Sequence, residues 1–484
     1  MKNKLPGFKT IFQNYFLSGI YLNKTTHGDI LSEAITSIRN VPPLPYIFGT
    51  DVNGPKYYKK SGCAQFPTLY DLEFNNIYWQ TLRTCNGTFY FYGAYFDDRE
   101  RVSKGPTLRI LSMMDRIEPT VKTYCQIWFQ GEQKPVFSRM QGYRFMWNRK
   151  WGNFKQNILQ PYLLSCVVPR SHFGQVPDSV SVVEHRCDSA KNNLRVLYSE
   201  PRKKENFAVC VKGLDYLNDD LSIRLVEWIE LLGILGVGKI YFYEFSVHPN
   251  ISKVLRYYEQ TGKIDVTPIT LPGNQPNEPI SRNIYLHKKV VHKRQNELIP
   301  YNDCLYRNIY NYHFIALLDI DEIIMSRTGL NWKELIMGIR KNATPSKKPV
   351  ASYCFRNVYF FDDIKSELQD LVGTPNYMHM LQHVHRSRNH TAAGRFEKCF
   401  HDPEIVSSLH NHFATSCLTG HCKRYPVLTD IAQMQHYRAD CARGVKDCSG
   451  QYRSSTILDP TIWHYRVELK LRAEKVLREL RFLI

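Results

Sequence analysis

Three carboxylates fall within four positions at Asp319-Ile320-Asp321-Glu322, directly after the apolar run Phe314-Ile315-Ala316-Leu317-Leu318. Oxygen ligands at that density suit a hard divalent cation such as Mg2+ or Mn2+. The run before them reads as a buried strand. A strand turns alternate side chains to one face, so Asp319 and Asp321 are expected to point together, and Glu322, on the other parity, to support the loop. An Asp-x-Asp triplet arises by chance about once in a chain of this length and acid content, so the setting has to carry the reading. That setting is the carboxyl end of a strand, where open α/β sheets place their ligand crevice. The bland alternative is a solvated acidic turn after a core strand.

These acids need a scaffold, and the preceding chain supplies one. Phe207-Ala208-Val209-Cys210-Val211 reads as a strand. Apolar residues at 221, 225, 228, 229, 232 and 235 then form a helical stripe from Leu221 to Leu235, which Asn218-Asp219-Asp220 can cap and Gly236-Val237-Gly238 stops. Lys239 to Phe245 is the next strand, 251–260 the next helix, and Ile264 to Pro268 a third strand. Helical pieces over 282–296 and 302–311 lead into the acidic strand. The βαβαβ order predicts an α/β domain over 204–440, with a mostly parallel sheet and helices on both faces. Neither Gly-x-Gly-x-x-Gly nor Gly-x4-Gly-Lys-Ser/Thr occurs, so a carboxylate-bound metal is the expected means of holding phosphates.

Residues 65–200 have another rhythm. Short aromatic and β-branched runs such as Thr88-Phe89-Tyr90-Phe91-Tyr92, Thr107 to Leu111, Tyr124 to Phe129 and Ser179 to Val183 recur between turns and predict a β-rich, sandwich-like domain. The basic linker Glu200 to Asn206 separates it from the α/β part. Residues 1–64, broken by Pro42-Pro43-Leu44-Pro45, read as a stem or lead-in, and 441–484 as a C-terminal extension with a helix. A chain of 484 residues exceeds the roughly 250–300 that one core serves, which agrees with such a division. Its 43% hydrophobic and 13% aromatic content argues for globular, strand-rich structure.

The net charge of +19 invites a nucleic-acid reading, but the basic residues are scattered. Arg202-Lys203-Lys204 and His292-Lys293-Arg294 are short clusters without a recognisable nucleic-acid module, so no nucleic-acid partner is expected. Thirteen cysteines, none in Cys-x2-Cys pairs, predict disulfides, densest among Cys399, Cys417, Cys422, Cys441 and Cys448, with at least one thiol left over. Five sequons, at Asn23, Asn86, Asn250, Asn342 and Asn389, agree with a secretory route. The first residues lack a signal-peptide core and no stretch reaches the roughly 18 apolar residues of a membrane span. Any membrane attachment is therefore expected through an anchor not visible in this sequence.

Taken in order, several segments resemble glycosyltransferase family 92, metal-dependent sugar transferases with the fold called GT-A. They are Ala94-Tyr95-Phe96-Asp97-Asp98-Arg99, Tyr124 to Phe129, Glu227-Trp228-Ile229-Glu230, Gly236 to Tyr243, Asn302 to Arg307, Leu318 to Glu322 and His436-Tyr437-Arg438. The resemblance implies a Golgi-type, usually membrane-anchored enzyme. It would move a sugar, with galactose suggested, from a nucleotide-diphosphate donor, a UDP-sugar first among them, to a glycan hydroxyl. A divalent ion, Mn2+ or another, would stabilise charge developing on the diphosphate.

The resemblance also distributes roles. Asp321 is the expected direct metal ligand, with Asp319 on the donor's ribose or in the metal shell and His436 completing that shell. Glu244 and Arg307 are candidate contacts to the nucleotide and its diphosphate. Inversion at the anomeric carbon, which the family suggests, needs a carboxylate base, and Asp362 or Asp363, after the strand-like run Val350 to Phe361, is the lean over Glu397 and Asp402. His412 is a further candidate on the acceptor side.

Three other readings compete. A secreted glycan-binding protein with a degenerate transferase domain would share all these features. Phosphohydrolases of the haloacid dehalogenase type also place Asp-x-Asp after a strand, but Ile323 stands where they carry Thr or Val. A zinc module could use His410, His412, Cys417, His421 and Cys422, and disulfides at those cysteines would remove it.

Overall fold

In the computed structural model, which describes residues 63–200, 203–342, 348–364 and 373–483, the aromatic runs before residue 200 become a ten-stranded sheet. The stem segment lies almost wholly outside the described residues. Five of the ten strands matter below: β1 (Gly87–Asp97), β2 (Thr107–Met114), β3 (Tyr124–Trp128), β4 (Gly142–Phe145) and β5 (Gln160–Val167). Eight of the strands form one hydrogen-bonded path and the other two branch from β1, so there are not two separate sheets, and β4 ends the path as an edge strand beside β5. Cys125 on β3 is bonded to Cys166 on β5, two strands far apart along that path, so the sheet is folded over its own apolar face.

The α/β part follows from period. The strand Glu205–Tyr216 (β6) leads into the helix Ser222–Ile234 (α1), whose Ser222 amide is capped by Asp220 Oδ1 at 3.0 Å. Then come Lys239–Val247 (β7), Pro249–Gln260 (α2) and Ile264–Pro268 (β8). Three consecutive helices, Pro279–Lys288 (α3), Val290–Asn296 (α4) and Leu298–Asn308 (α5), precede Tyr312–Leu317 (β9). Strands β8, β7, β6 and β9 lie side by side and parallel, which long helical crossovers permit.

Beyond β9 the sheet changes sense. Lys398–His401 (β13) adds on antiparallel to β9, Ser352–Phe355 (β11) antiparallel to β13, and Arg424–Pro426 (β16), parallel to β11, closes a seven-stranded sheet. A second, five-stranded sheet begins with Glu322–Ser326 (β10), Ala432–Arg438 (β17) and Asn357–Phe361 (β12). The continuous strand expected from Val350 to Phe361 is thus two strands in two sheets. Arg356 marks the crossing, with its guanidinium donating to the Thr391 carbonyl at 2.8 and 3.0 Å. A helical turn at His379–Gln382 (α6), the hairpin Val406–His410 (β14) and Phe413–Cys417 (β15), and the helix Arg466–Glu479 (α7) complete the elements used below.

Twelve of the thirteen cysteines form six disulfides and Cys85 is free and exposed. Cys417–Cys422 and Cys441–Cys448 close short loops, while Cys399 reaches across to Cys354. The Cys417–Cys422 bond removes the zinc module, since neither sulfur is a thiolate. Among the described residues no helix is long and apolar enough to cross a membrane.

Candidate active site

The acidic segment is a tight turn, not the end of a strand. Strand β9 stops at Leu317 and β10 starts at Glu322, and the Glu322 amide donates to the Asp319 carbonyl at 3.0 Å. The alternation argument therefore does not apply to Asp319 and Asp321, whose directions are set by the turn. What the turn does is hand the chain from the seven-stranded sheet to the five-stranded one. The acids stand at that seam, against β6 on one side and β17 on the other.

Each carboxylate has its own surroundings. Glu322 is buried, and its Oε2 accepts from the Asp319 amide at 2.8 Å and from Lys398 Nζ at 2.9 Å. Burial raises its pKa, against the pull of Lys398. Asp319 Oδ2 accepts from Lys212 Nζ at 2.9 Å, and Glu297 stands 3.7 Å from the same ammonium. Burial opposes ionisation of Asp319, but Lys212 and Lys398 outweigh it and hold the carboxyl well below the usual range. Asp321, 39% exposed, faces His436 with Oδ2 3.2 Å from Nε2. Burial raises its pKa less than His436 lowers it.

His436 sits opposite Glu322 in the β10–β17 pairing and opposite Tyr359 in the β12–β17 pairing, so both strands fix its height. Its Nδ1 lies 3.3 Å from Asn357 Oδ1, leaving Nε2 to Asp321 and, at 3.4 Å, to Arg438. The donor set of one carboxylate and one imidazole suits Mn2+. Asp319 Oδ1 is buried without a hydrogen-bond partner, as an atom awaiting a ligand would be. Yet Asp319, Asp321 and His436 do not bring ligand atoms within 4.8 Å of one another. The one such group of three among the described residues is Asp440, Cys441 and Cys448, whose sulfurs are bonded together. The residues fit a divalent ion on Asp321 and His436, with Asp319 one step back.

A second cluster follows from the same strand. Asp362 comes directly after β12, and its amide donates to the Arg438 carbonyl. Three residues separate it along β12 from the position opposite His436, about 10 Å at the rise of a strand. Asp362 Oδ1 lies 3.2 Å from His379 Nε2 and Oδ2 3.3 Å from Arg224 Nη1. Burial raises its carboxyl, but His379 and Arg224 bring it down to about 2. Burial pulls the His379 imidazole below the ordinary histidine range despite Asp362. The turn α6 that carries His379 is held by Glu227 of α1, which accepts from the Met380 and Leu381 amides at 3.0 to 3.1 Å.

Other sequence candidates do not join these clusters. Arg307 is a correction: it ends α5, beside the start of β9 and therefore at the opposite end of that strand from Asp319. Its Nε donates to Asp303 Oδ2 at 2.7 Å, and Asp303 also accepts the Tyr95 and Tyr243 hydroxyls in the core. Glu244 lies beside Leu214, with Arg256 and Glu259 of α2 as its charged neighbours, and burial raises its pKa. Asp363 is 62% exposed and ion-paired with Arg453. Glu397 is buried against Arg424, and Asp402 is at the far end of β13 beside Glu404. His412 is half-buried, with Nδ1 3.0 Å from the Glu397 carbonyl, and desolvation drives its pKa well below the histidine range.

Lys212, Lys398 and His379 are the residues that sequence reasoning missed. The lysines had a signal: each interrupts or borders an apolar strand, Phe207 to Val211 and Cys399-Phe400, where an unpaired ammonium would be costly.

A family model described as glycosyltransferase family 92 matches residues 205–473, more than half of the chain. Among curated proteins, beta-1,4-galactosyltransferase galt-1 of Caenorhabditis elegans is 26% identical over 237 residues, 48% of this chain and 48% of that protein. The chain spans about half the length of that relative.

Proposed function

The chain belongs to glycosyltransferase family 92, and on that premise we propose that it transfers a sugar from a UDP-sugar, galactose first, to a glycan hydroxyl with a divalent metal and a GT-A arrangement of the α/β domain. The observation that carries the reading is the paired Asp321 and His436 at the sheet seam, beside the unpartnered buried Oδ1 of Asp319. The galactose donor rests on the printed name of the relative.

Asp321 and His436 would hold Mn2+, which would supply positive charge against that growing on the departing diphosphate. Lys212 keeps Asp319 ionised, so Oδ1 is a ready acceptor for a donor hydroxyl. Glu322 and Lys398 fix the turn from inside. Arg438, on the same strand as His436, presents a fixed cation near the diphosphate position. His379 takes the acceptor proton at Nδ1, while Asp362, 3.2 Å from Nε2, orients the ring and stabilises the imidazolium that results. A base of that kind is better matched to neutral pH than an Asp362 carboxyl near 2 acting alone. Inversion follows if the acceptor attacks opposite the diphosphate. The oxidised disulfides agree with a secretory, Golgi-type setting.

The test is a screen of UDP-, GDP- and CMP-sugars with glycan acceptors, each with Mn2+ and with EDTA. Turnover of a UDP-sugar that EDTA abolishes is expected. A flat response to every donor would leave the glycan-binding reading in its place.

A further inference from the structure

A cavity of about 580 Å3 lies outside the acidic turn, between the β-rich sheet and the β14–β15 hairpin. Its floor is one face of three neighbouring strands, because directly opposed residues of an antiparallel pair share a face. Thr107 faces Val167, Arg109 faces Ser165, Ser165 faces Gly142, and Leu163 faces Arg144. Ser407, Cys417 and Leu418 form the other wall.

The lining is cationic and contains no carboxylate. Arg101, Lys104 and Arg144 are exposed, and among the described residues none of them pairs with an acid. Lys104 Nζ donates to Gln141 Oε1 at 3.1 Å. Arg109 donates from Nε to Asp97 Oδ2 at 2.9 Å and from Nη1 to Ser165 Oγ at 2.9 Å. Asp97 is shared with the buried Arg99, so two guanidinium groups meet one carboxylate and one positive charge remains. Arg101, Lys104 and Arg144 add three more around the same opening.

We propose that this cleft binds an acidic oligosaccharide, one bearing sulfate or carboxylate groups, through Arg101, Lys104, Arg109 and Arg144. Its volume lies within the roughly 300–1,000 Å3 of sites that enclose small ligands, which favours a few sugar rings over a flat polymer track. The cations surround a bounded hollow instead of forming the long stripe that a nucleic-acid backbone needs. Gln141 and the Ser165 hydroxyl are placed for ring hydroxyls, while the guanidinium groups take the acidic substituents in paired hydrogen bonds. The site uses none of the residues assigned to sugar transfer, so it stands or falls separately from that reading.

The experiment is calorimetric titration of the full chain and of an Arg101→Ala/Lys104→Ala/Arg144→Ala variant. The probes are a heparin-derived hexasaccharide, a hyaluronan hexasaccharide, chitohexaose and a ten-nucleotide oligo-dT. All three substituted residues are exposed, so unfolding midpoints of the two proteins should coincide, and a charge-reversed Arg144→Glu variant provides a second, smaller perturbation. Binding of an acidic hexasaccharide that weakens by about tenfold or more in the triple variant, with none for chitohexaose, is expected. Heparin alone binding would identify sulfate, and hyaluronan binding as well would identify carboxylate. Failure of both acidic sugars to bind, equal binding by the variants, or equal affinity for oligo-dT would overturn the proposal.

Discussion

Asp321 and Glu322 are adjacent acids in one turn, and they should fail in opposite ways. Glu322 is 2% exposed and joins Lys398, itself fully buried, to the Asp319 amide. Removing one partner of a buried ion pair costs about 3–5 kcal/mol. Glu322→Gln keeps a carbonyl for the Asp319 amide, and Lys398 keeps Asn411, so the lower end, about 3 kcal/mol, applies. For a domain of 150–250 residues this lowers the melting temperature by about 6–12 °C. Asp321 is 39% exposed and its loss strands no buried cation, so Asp321→Asn should change stability by only about 0.5–1 kcal/mol.

Metal response separates them further. Mn2+ at about one hundred times its dissociation constant stabilises the folded chain by about 2.7 kcal/mol. Differential scanning fluorimetry with and without Mn2+ should show that upward shift in the parent and in Glu322→Gln, but not in Asp321→Asn. Donor turnover should vanish in Asp321→Asn and persist, at permissive temperature, in Glu322→Gln. A reversed result, with Asp321→Asn unstable but still responsive to Mn2+, would refute the division of the turn into a ligand and a support.

Arg307→Met should cost about 3–5 kcal/mol in a denaturant titration, because Asp303 is left buried with one fewer partner, while the donor KM stays unchanged. A raised KM at unaltered stability would return Arg307 to the donor site. Burial pushes the Glu227 carboxyl up to about 7 from 4.5, so the folded state holds its proton more tightly and stability falls as pH rises between those values. The parent's stability relative to Glu227→Gln should therefore be greater at pH 5 than at pH 8, by at most about 3 kcal/mol, measured as paired urea midpoints. Equal differences at both pH values would contradict it. Unreduced, denatured protein should take one maleimide, at Cys85; three or more would break the disulfide assignment.

The helices and parallel strands from Phe207 onward were legible because each has the apolar period that its burial requires. The stripe at 221, 225, 228, 229, 232 and 235 became Ser222–Ile234, and Ile264 to Pro268 is a strand with those bounds. What was not legible is where the chain changes sheet. Local pattern reports that a residue is in a buried strand, not which sheet that strand joins. Val350 to Phe361 therefore read as one strand, and nothing in its composition marks Arg356 as the crossing. The same limit placed Asp319 and Asp321 on a strand, when the chain had already left β9 and was turning toward β10. Arg307 misled for a related reason, since the sequence shows a basic residue near the acidic motif but not that a helix and a full strand put them at opposite ends.

The charges around the turn explain why two lysines sit beside a proposed cation site without competing for its role. Asp319, Asp321, Glu322 and Glu297 bring four carboxylates, and Lys212 and Lys398 are the ammonium groups paired with them. With Glu322 ionised beside Lys398, four carboxylates and two ammonium groups leave two negative charges, one of which the Arg438 guanidinium, 3.4 Å from His436 Nε2, offsets. Neither lysine can supply what is missing, because each is committed: Lys212 to Asp319 and Glu297, Lys398 to Glu322. A bare cluster of four acids would resist folding until metal arrived, and one with four lysines would exclude metal altogether. Buried Lys398 and half-buried Lys212 leave a turn that folds on its own and still carries net negative charge. On the proposed metal reading that charge is presented at Asp321, the most exposed of the three carboxylates in the turn, with His436 3.2 Å away as the second ligand.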